Sequence, residues 1–178
     1  GRDSARRARE RQPRFQGFGD LGRSCARSPH SVSRFTAHLG LQMIEDAAGR
    51  PMLTVDGRAQ WSLIEPLTYD VGRNGSGEAI TVPVGATTDL ASIPRPAWSL
   101  LPPDGPWTKA AVIHDFLYRT RGTGVFANRC WITRPSGYSR AQSDRILDEA
   151  MGVLGVPTDK RVVIFEAVRL GGGAGWGR

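Results

Sequence analysis

Four prolines, at 94, 96, 102 and 103, crowd the segment Gly85–Pro103. Proline fixes φ and donates no backbone hydrogen bond, so neither a helix nor a central strand can run through this stretch. It divides the chain into two halves with different patterns. Short strand signals lie upstream and helical signals downstream. The expected class is α+β: a small antiparallel sheet followed by a three-helix core, with a disordered basic N-terminal arm.

Upstream, Trp61–Tyr69 reads as a short strand that Pro66 pushes to an edge. Val71–Glu78 holds the turn dipeptides Asn74-Gly75 and Ser76-Gly77, and Ala79–Val84 is a second strand, so 61–84 is expected as a hairpin. Met52–Val55 adds a further short strand. Gly85–Pro103 should be an ordered loop without regular structure.

Downstream, Pro106 suits a first helical position with Asp104 or Gly105 as its cap, and Thr108–Arg119 follows as TKAAVIHDFLYR. A short hairpin is expected around Val125–Thr133. Ser139 and Gln142 form a capping-box pattern opening a helix that runs to Leu154, with Gly155 at its stop. Pro157-Thr158 opens a third helix, Asp159–Leu170, closed by three glycines and a loose tail.

Charge is unevenly spread. Residues 1–37 carry nine arginines against Asp3, Glu10 and Asp20, which accounts for six of the chain's net +7 charges. A segment this basic and poor in aliphatic side chains cannot bury a core of its own. It reads either as an electrostatic contact for nucleic acid or acidic lipid, or as an incidental leader, since the first methionine is Met43. The domain division is therefore a basic arm over 1–42, a single α+β domain over 43–171 and a Gly-rich tail over 172–178. At 178 residues one domain is the natural count. There is no apolar run of about 18 residues to span a membrane, and the first residues lack the apolar stretch of a signal peptide. Cys25 and Cys130 are too few for a disulfide framework and are expected as free thiols.

Chemistry concentrates on one helix. His114 is the one histidine of the 43–171 body, and Tyr118 lies four residues on, on the same face. Asp115 follows His114 within an apolar helix, where a carboxylate is costly unless it is paired or holds a cation. In the helix after Ser139, Asp144 is spaced with Leu147, Ala150 and Met151 on or beside the inward face. Antiparallel packing of the two helices would bring Asp144 to His114. A carboxylate on one imidazole nitrogen fixes the tautomer and leaves the other nitrogen to accept a proton. Asp89 reads either as a further metal ligand or, with Ser92, as part of a turn ordering the proline-rich loop. Ser92 lacks the G-x-S-x-G elbow motif of a serine hydrolase.

Thr88-Asp89-Leu90-Ala91-Ser92-Ile93-Pro94, His114-Asp115-Phe116-Leu117-Tyr118 and the stretch from Asp144 to Met151 resemble the three marks of a family of phage and prophage proteins of unknown function. The resemblance covers about 61–171. It implies a phage or prophage origin, placement in host cytoplasm or virion, and other phage structural proteins as partners; it implies no activity. His114-Asp115-x-x-Tyr118 with Ser143-Asp144-Arg145 is also similar to secreted and parvoviral phospholipases A2. That likeness implies that His114 activates water, Asp144 orients His114, Tyr118 supports the aspartate and Asp115 binds Ca²⁺, with a lipid or ester as substrate. The chain departs from those enzymes in having a single glycine in Leu101–Trp107 and in lacking their disulfides. Three functions stay open: metal-assisted ester hydrolysis, a non-catalytic virion or assembly protein whose His-Asp-Asp cluster is structural, and a nucleic-acid or membrane-surface tether acting through the arm.

Overall fold

The computed structural model describes residues 34–35, 38–55, 57–90 and 105–177. Residues 1–33 and 91–104 lie outside the described residues, and with them most of the basic arm, Cys25, Ser92, Asp104 and the prolines of the central segment. The class is α+β as expected, with small antiparallel sheets and three α-helices among the described residues.

The strands divide differently from the expectation. Trp61–Tyr69 is not one strand. It breaks at Ile64-Glu65-Pro66 into β2 (Trp61–Leu63) and β3 (Leu67–Asp70). Pro66 has no N–H to offer a ladder, and the two halves pair in separate sheets. β2 lies between β1 (Leu41–Met43) and β5 (Thr87–Thr88), with Met43 opposite Trp61 and Trp61 opposite Thr88. The hairpin is shorter than 61–84: β3 pairs with β4 (Ala79–Val82), Leu67 opposite Val82 and Asp70 opposite Ala79. The Asp70 carboxylate accepts from the Gly75 N–H at 2.7 Å and so fixes the turn between them. Met52–Val55 forms no strand; Pro51 and Leu53 make isolated bridges to Glu45 and Ala59. Within the segment expected to be irregular, Thr87–Thr88 is paired as β5.

Both edges of the β3–β4 hairpin are covered, which removes the open edges a two-stranded ribbon would offer to another chain. Ile132 bridges to Ile80 on one side, with Thr81 N–H donating to Trp131 O at 2.8 Å. On the other side Phe35 bridges to Tyr69, and Asp70 N–H donates to Arg34 O at 2.9 Å. Phe35 is only 3% exposed, its ring 4.7 Å from that of Tyr69. The Arg34 guanidinium bonds the Tyr69 hydroxyl, the Gly72 carbonyl and, at 2.6 Å, the Glu149 carboxylate. Arg34, Phe35 and β1 thus pack with the folded body, with a core aromatic and the first two residues of β1 preceding Met43.

The helices follow the sequence closely. α1 is Thr108–Arg119, but its N-cap is Trp107 and no side chain caps it. Thr108 Oγ1 instead donates to Gly105 O at 2.7 Å, tightening the turn that Pro106 was expected to open as helix. The hairpin β6 (Val125–Phe126) to β7 (Arg129–Cys130) turns on Ala127 and Asn128 at φ 49° and 60°, the left-handed pair a two-residue turn requires. The Cys130 thiol on β7 is free and exposed. α2 (Arg140–Val153) starts with the full Ser139–Gln142 capping box. α3 (Thr158–Gly171) buries Ile164 and Val168. α1 packs on α2 and α2 on α3, enclosing a core that includes Ile113, Leu117, Leu147, Ala150 and Met151. The glycines after α3 do not release a loose tail. They wind into a 3-10 turn, Gly172–Gly175, that sets Trp176 edge-on to Tyr118 at 5.0 Å.

Candidate functional site

α1 presents His114 and Tyr118 from successive turns of one face, with ring centroids 4.1 Å apart. The capping box fixes where α2 begins, and Asp144 stands one turn inside it. The structure brings these three together. His114 Nε2 lies 3.1 Å from Asp144 Oδ1, and the Tyr118 hydroxyl donates to the same oxygen at 2.6 Å. A carboxylate only accepts, so the proton of this pair sits on Nε2 and the tautomer is set. Asp144 is fully buried and His114 is 3% exposed.

The other Asp144 oxygen faces two arginines. Arg169 Nη1 donates to Oδ2 at 3.3 Å, and Arg140 Nε lies 3.8 Å from it. Burial pushes the Asp144 carboxyl up, but the bonds from His114, Tyr118 and Arg169 outweigh it and hold the carboxyl below its usual range. Burial, and then the bond to Asp144, push the Tyr118 phenol up, so it remains a hydrogen-bond donor.

Asp115 points to a different environment. Its Oδ2 accepts from Thr88 Oγ1 at 2.5 Å, and Thr88 Oγ1 in turn accepts from Leu90 N–H at 3.0 Å. Burial pushes Asp115 up and the nearby Asp89 charge adds to the rise; the Thr88 bond and the His114 and Arg119 charges oppose it. Asp89 lies 3.8 Å from Arg119, which also donates to Thr87 Oγ1 at 2.9 Å. The sequence thus names two neighbouring groups: His114, Tyr118 and Asp144 between α1 and α2, and Asp115 with Asp89 between α1 and the end of β5. Among the described residues no set of three or more His, Cys, Asp or Glu side chains could hold a metal ion.

A family described as "Protein of unknown function (DUF1353)" has a sequence pattern that matches residues 61–168. The chain belongs to the DUF1353 family. The matched span carries all five residues named from the sequence, and it stops short of Arg169, Trp176 and, upstream, Phe35. No curated protein and no solved structure shows a significant match to this DUF1353 chain.

Sequence reasoning missed Thr88, Arg140 and Arg169. Arg140 was legible in outline: it lies four residues before Asp144 on α2 and so shares its face. Thr88 stands beside Asp89 in the motif already noted. Arg169 had no local signal, because its bond to Asp144 depends on how α3 docks on α2.

Proposed function

We propose that this DUF1353 chain is a phage-encoded accessory hydrolase acting on a lipid or similar ester, with His114 as the base. The observation that carries the reading is the shared Asp144 oxygen: one carboxylate atom accepts from His114 Nε2 and from Tyr118, the residue four positions on. With Nε2 occupied by Asp144, Nδ1 is the nitrogen that takes a proton from water as the water attacks the ester carbonyl. Asp144 stabilises the imidazolium that forms, and Tyr118 donates to the same carboxylate oxygen. His114 then returns the proton to the leaving alkoxide.

Calcium belongs to the proposal. Two carboxylates that repel each other, one of them desolvated, suit a hard cation, and Asp115 and Asp89 would be its side-chain ligands. The described residues supply no third such ligand, where calcium takes roughly six to eight oxygens. Bound there, Ca²⁺ would polarise the ester carbonyl. The phage origin rests on the motif resemblance, and other phage structural proteins are the partners that origin suggests. Nucleic acid would be met only through the basic arm. Among the described residues no helix is long and apolar enough to cross a membrane.

A second reading is favoured by the 3% exposure of His114 and the complete burial of Asp144. On it, the cluster is a sealed polar network in a non-catalytic virion or assembly protein. One experiment separates the two. Fatty-acid release from phosphatidylcholine and phosphatidylglycerol vesicles is measured for wild type, His114→Gln and Asp144→Asn, with and without millimolar Ca²⁺, beside calorimetric Ca²⁺ titration and melting curves. Calcium-stimulated release lost in both variants supports the hydrolase. A wild type that neither releases fatty acid nor takes up Ca²⁺, with variants that are only less stable, leaves the structural reading.

A further inference from the structure

Asp144 is shared unequally between its two oxygens. Oδ1 accepts from His114 and Tyr118, both buried. Oδ2 accepts its one hydrogen bond among the described residues from Arg169 Nη1, at 3.3 Å, on the last turn of α3. Arg140 Nε approaches the same oxygen at 3.8 Å, and Arg140 Nη2 donates to the Arg169 carbonyl at 2.5 Å. A carboxylate turns about a single bond. If Oδ2 loses its donor, the buried group gains by rotating to share Oδ1, which pulls that oxygen away from Nε2.

We propose that Arg169 is a positioning residue for His114: by holding Asp144 Oδ2 it fixes Oδ1 against the imidazole, so that the docking of α3 sets the His114 tautomer. The inference deepens the hydrolase reading and rests on it for its catalytic consequence. Its structural half can be read without any activity. The hydrogen bond of Arg169 in this cluster goes to Asp144, and its effect on His114 runs through that carboxylate.

The fold supplies its own control. Arg161, also on α3, makes a two-pronged pair with Asp148 of α2 at 2.9 and 2.8 Å, a carboxylate other than the one His114 meets. If Arg169 merely fastens α3 to α2, replacing Arg161 should do the same damage as replacing Arg169.

The test is imidazole ¹⁵N–¹H correlation spectroscopy on the full ¹⁵N-labelled chain at one fixed pH, with melting curves alongside. Wild type should show His114 as a single tautomer protonated at Nε2, with a slowly exchanging Nε2–H. Arg169→Met should replace this by averaged ring signals, and Arg169→Lys should restore the wild-type pattern. Arg161→Met should lower the melting temperature and leave the His114 signals in place. Where Arg169→Met does not fold, Arg169→Gln, which keeps an uncharged N–H donor group on a shorter side chain, is read instead and should give a partial loss of the single tautomer. His114 signals unmoved by either Arg169 variant, or moved as far by Arg161→Met, overturn the proposal. In the vesicle assay Arg169→Met should lower kcat at least tenfold with KM unchanged, and Arg169→Lys should recover it. If wild type releases no fatty acid while the ring signals respond as expected, the positioning of His114 stands and the hydrolase reading falls.

Discussion

Gly172 lies so close to Tyr118 that a methyl group on its α-carbon would meet the phenol oxygen at 2.7 Å. The phenol cannot move without losing its bond to Asp144, so the start of the C-terminal turn and the polar cluster share one packing constraint. Gly172→Ala should therefore destabilise by about 1–3 kcal/mol, the usual cost of overpacking a filled site. Its neighbour is the comparison: a methyl on Gly173 meets only the end of the Arg140 side chain, which can swing aside. Melting curves should show Gly173→Ala near wild type and Gly172→Ala clearly below it.

Asp144 and Asp115 should give opposite pH signatures. The Asp144 carboxyl is held below its usual range, so it adds stability above the unfolded-state value of about 4 that is lost as pH falls through the folded one. Asp115 is pushed up, so between its unfolded and folded values stability declines as pH rises, and the full penalty is present above them. In metal-free buffer at neutral pH, Asp115→Asn should melt higher than wild type and the gap should close on acidification. Asp144→Asn should melt lower, by roughly 1–3 kcal/mol for the partners left unsatisfied. Added Ca²⁺, if Asp115 holds it, should raise the wild-type melting temperature and leave Asp115→Asn almost unchanged.

Removal of residues 1–33 and removal of residues 1–42 should have different consequences. The first segment is arginine-rich with little apolar surface, and its loss should hardly move the melting temperature. The second also takes away Arg34, Phe35 and part of β1. Phe35→Ala alone should cost about 3–5 kcal/mol, as expected for emptying a buried aromatic site. Chemical denaturation of the two truncated proteins and of Phe35→Ala measures all three.

Gly122→Ala should be among the most damaging single changes. Gly122 sits at φ +72°, and a methyl there would lie 1.8 Å from the Tyr138 carbonyl oxygen, which belongs to backbone and cannot yield as a side chain can. Loss of soluble folded protein, or a drop of more than about 2 kcal/mol in denaturant, is the expected result; a melting temperature near wild type would contradict the assigned turn.

The helices were legible because their signals are local. Ser139 and Gln142 mark the start of α2 by chemistry confined to one turn, and the His114–Tyr118 spacing places two rings on one face wherever the helix packs. Asp144 could be paired with His114 from its apolar neighbours alone. The strands were less legible because pairing is not local: nothing within Trp61–Tyr69 says that its halves join different sheets, although Pro66 marks where they part. Phe35 was hidden by averaging, one core aromatic among arginines, and Trp176 by the glycines around it. Arg169 was out of reach because its role depends on the docking of a third helix.

The bond between Arg34 and Glu149 spans 115 positions of sequence, and it bears on how the protein is made. A chain emerging from the ribosome exposes Phe35 and Arg34 long before α2 exists to receive them. The strand edge that Phe35 covers and the carboxylate that Arg34 meets arrive in order, β3 first and Glu149 last. Until Glu149 arrives, the Arg34 guanidinium lacks that carboxylate, and the loop this pair must close is long. Contacts of such separation slow folding, so refolding should show a late phase in which the N-terminal root docks. Arg34→Met should unfold faster than wild type with little change in the rate of that phase.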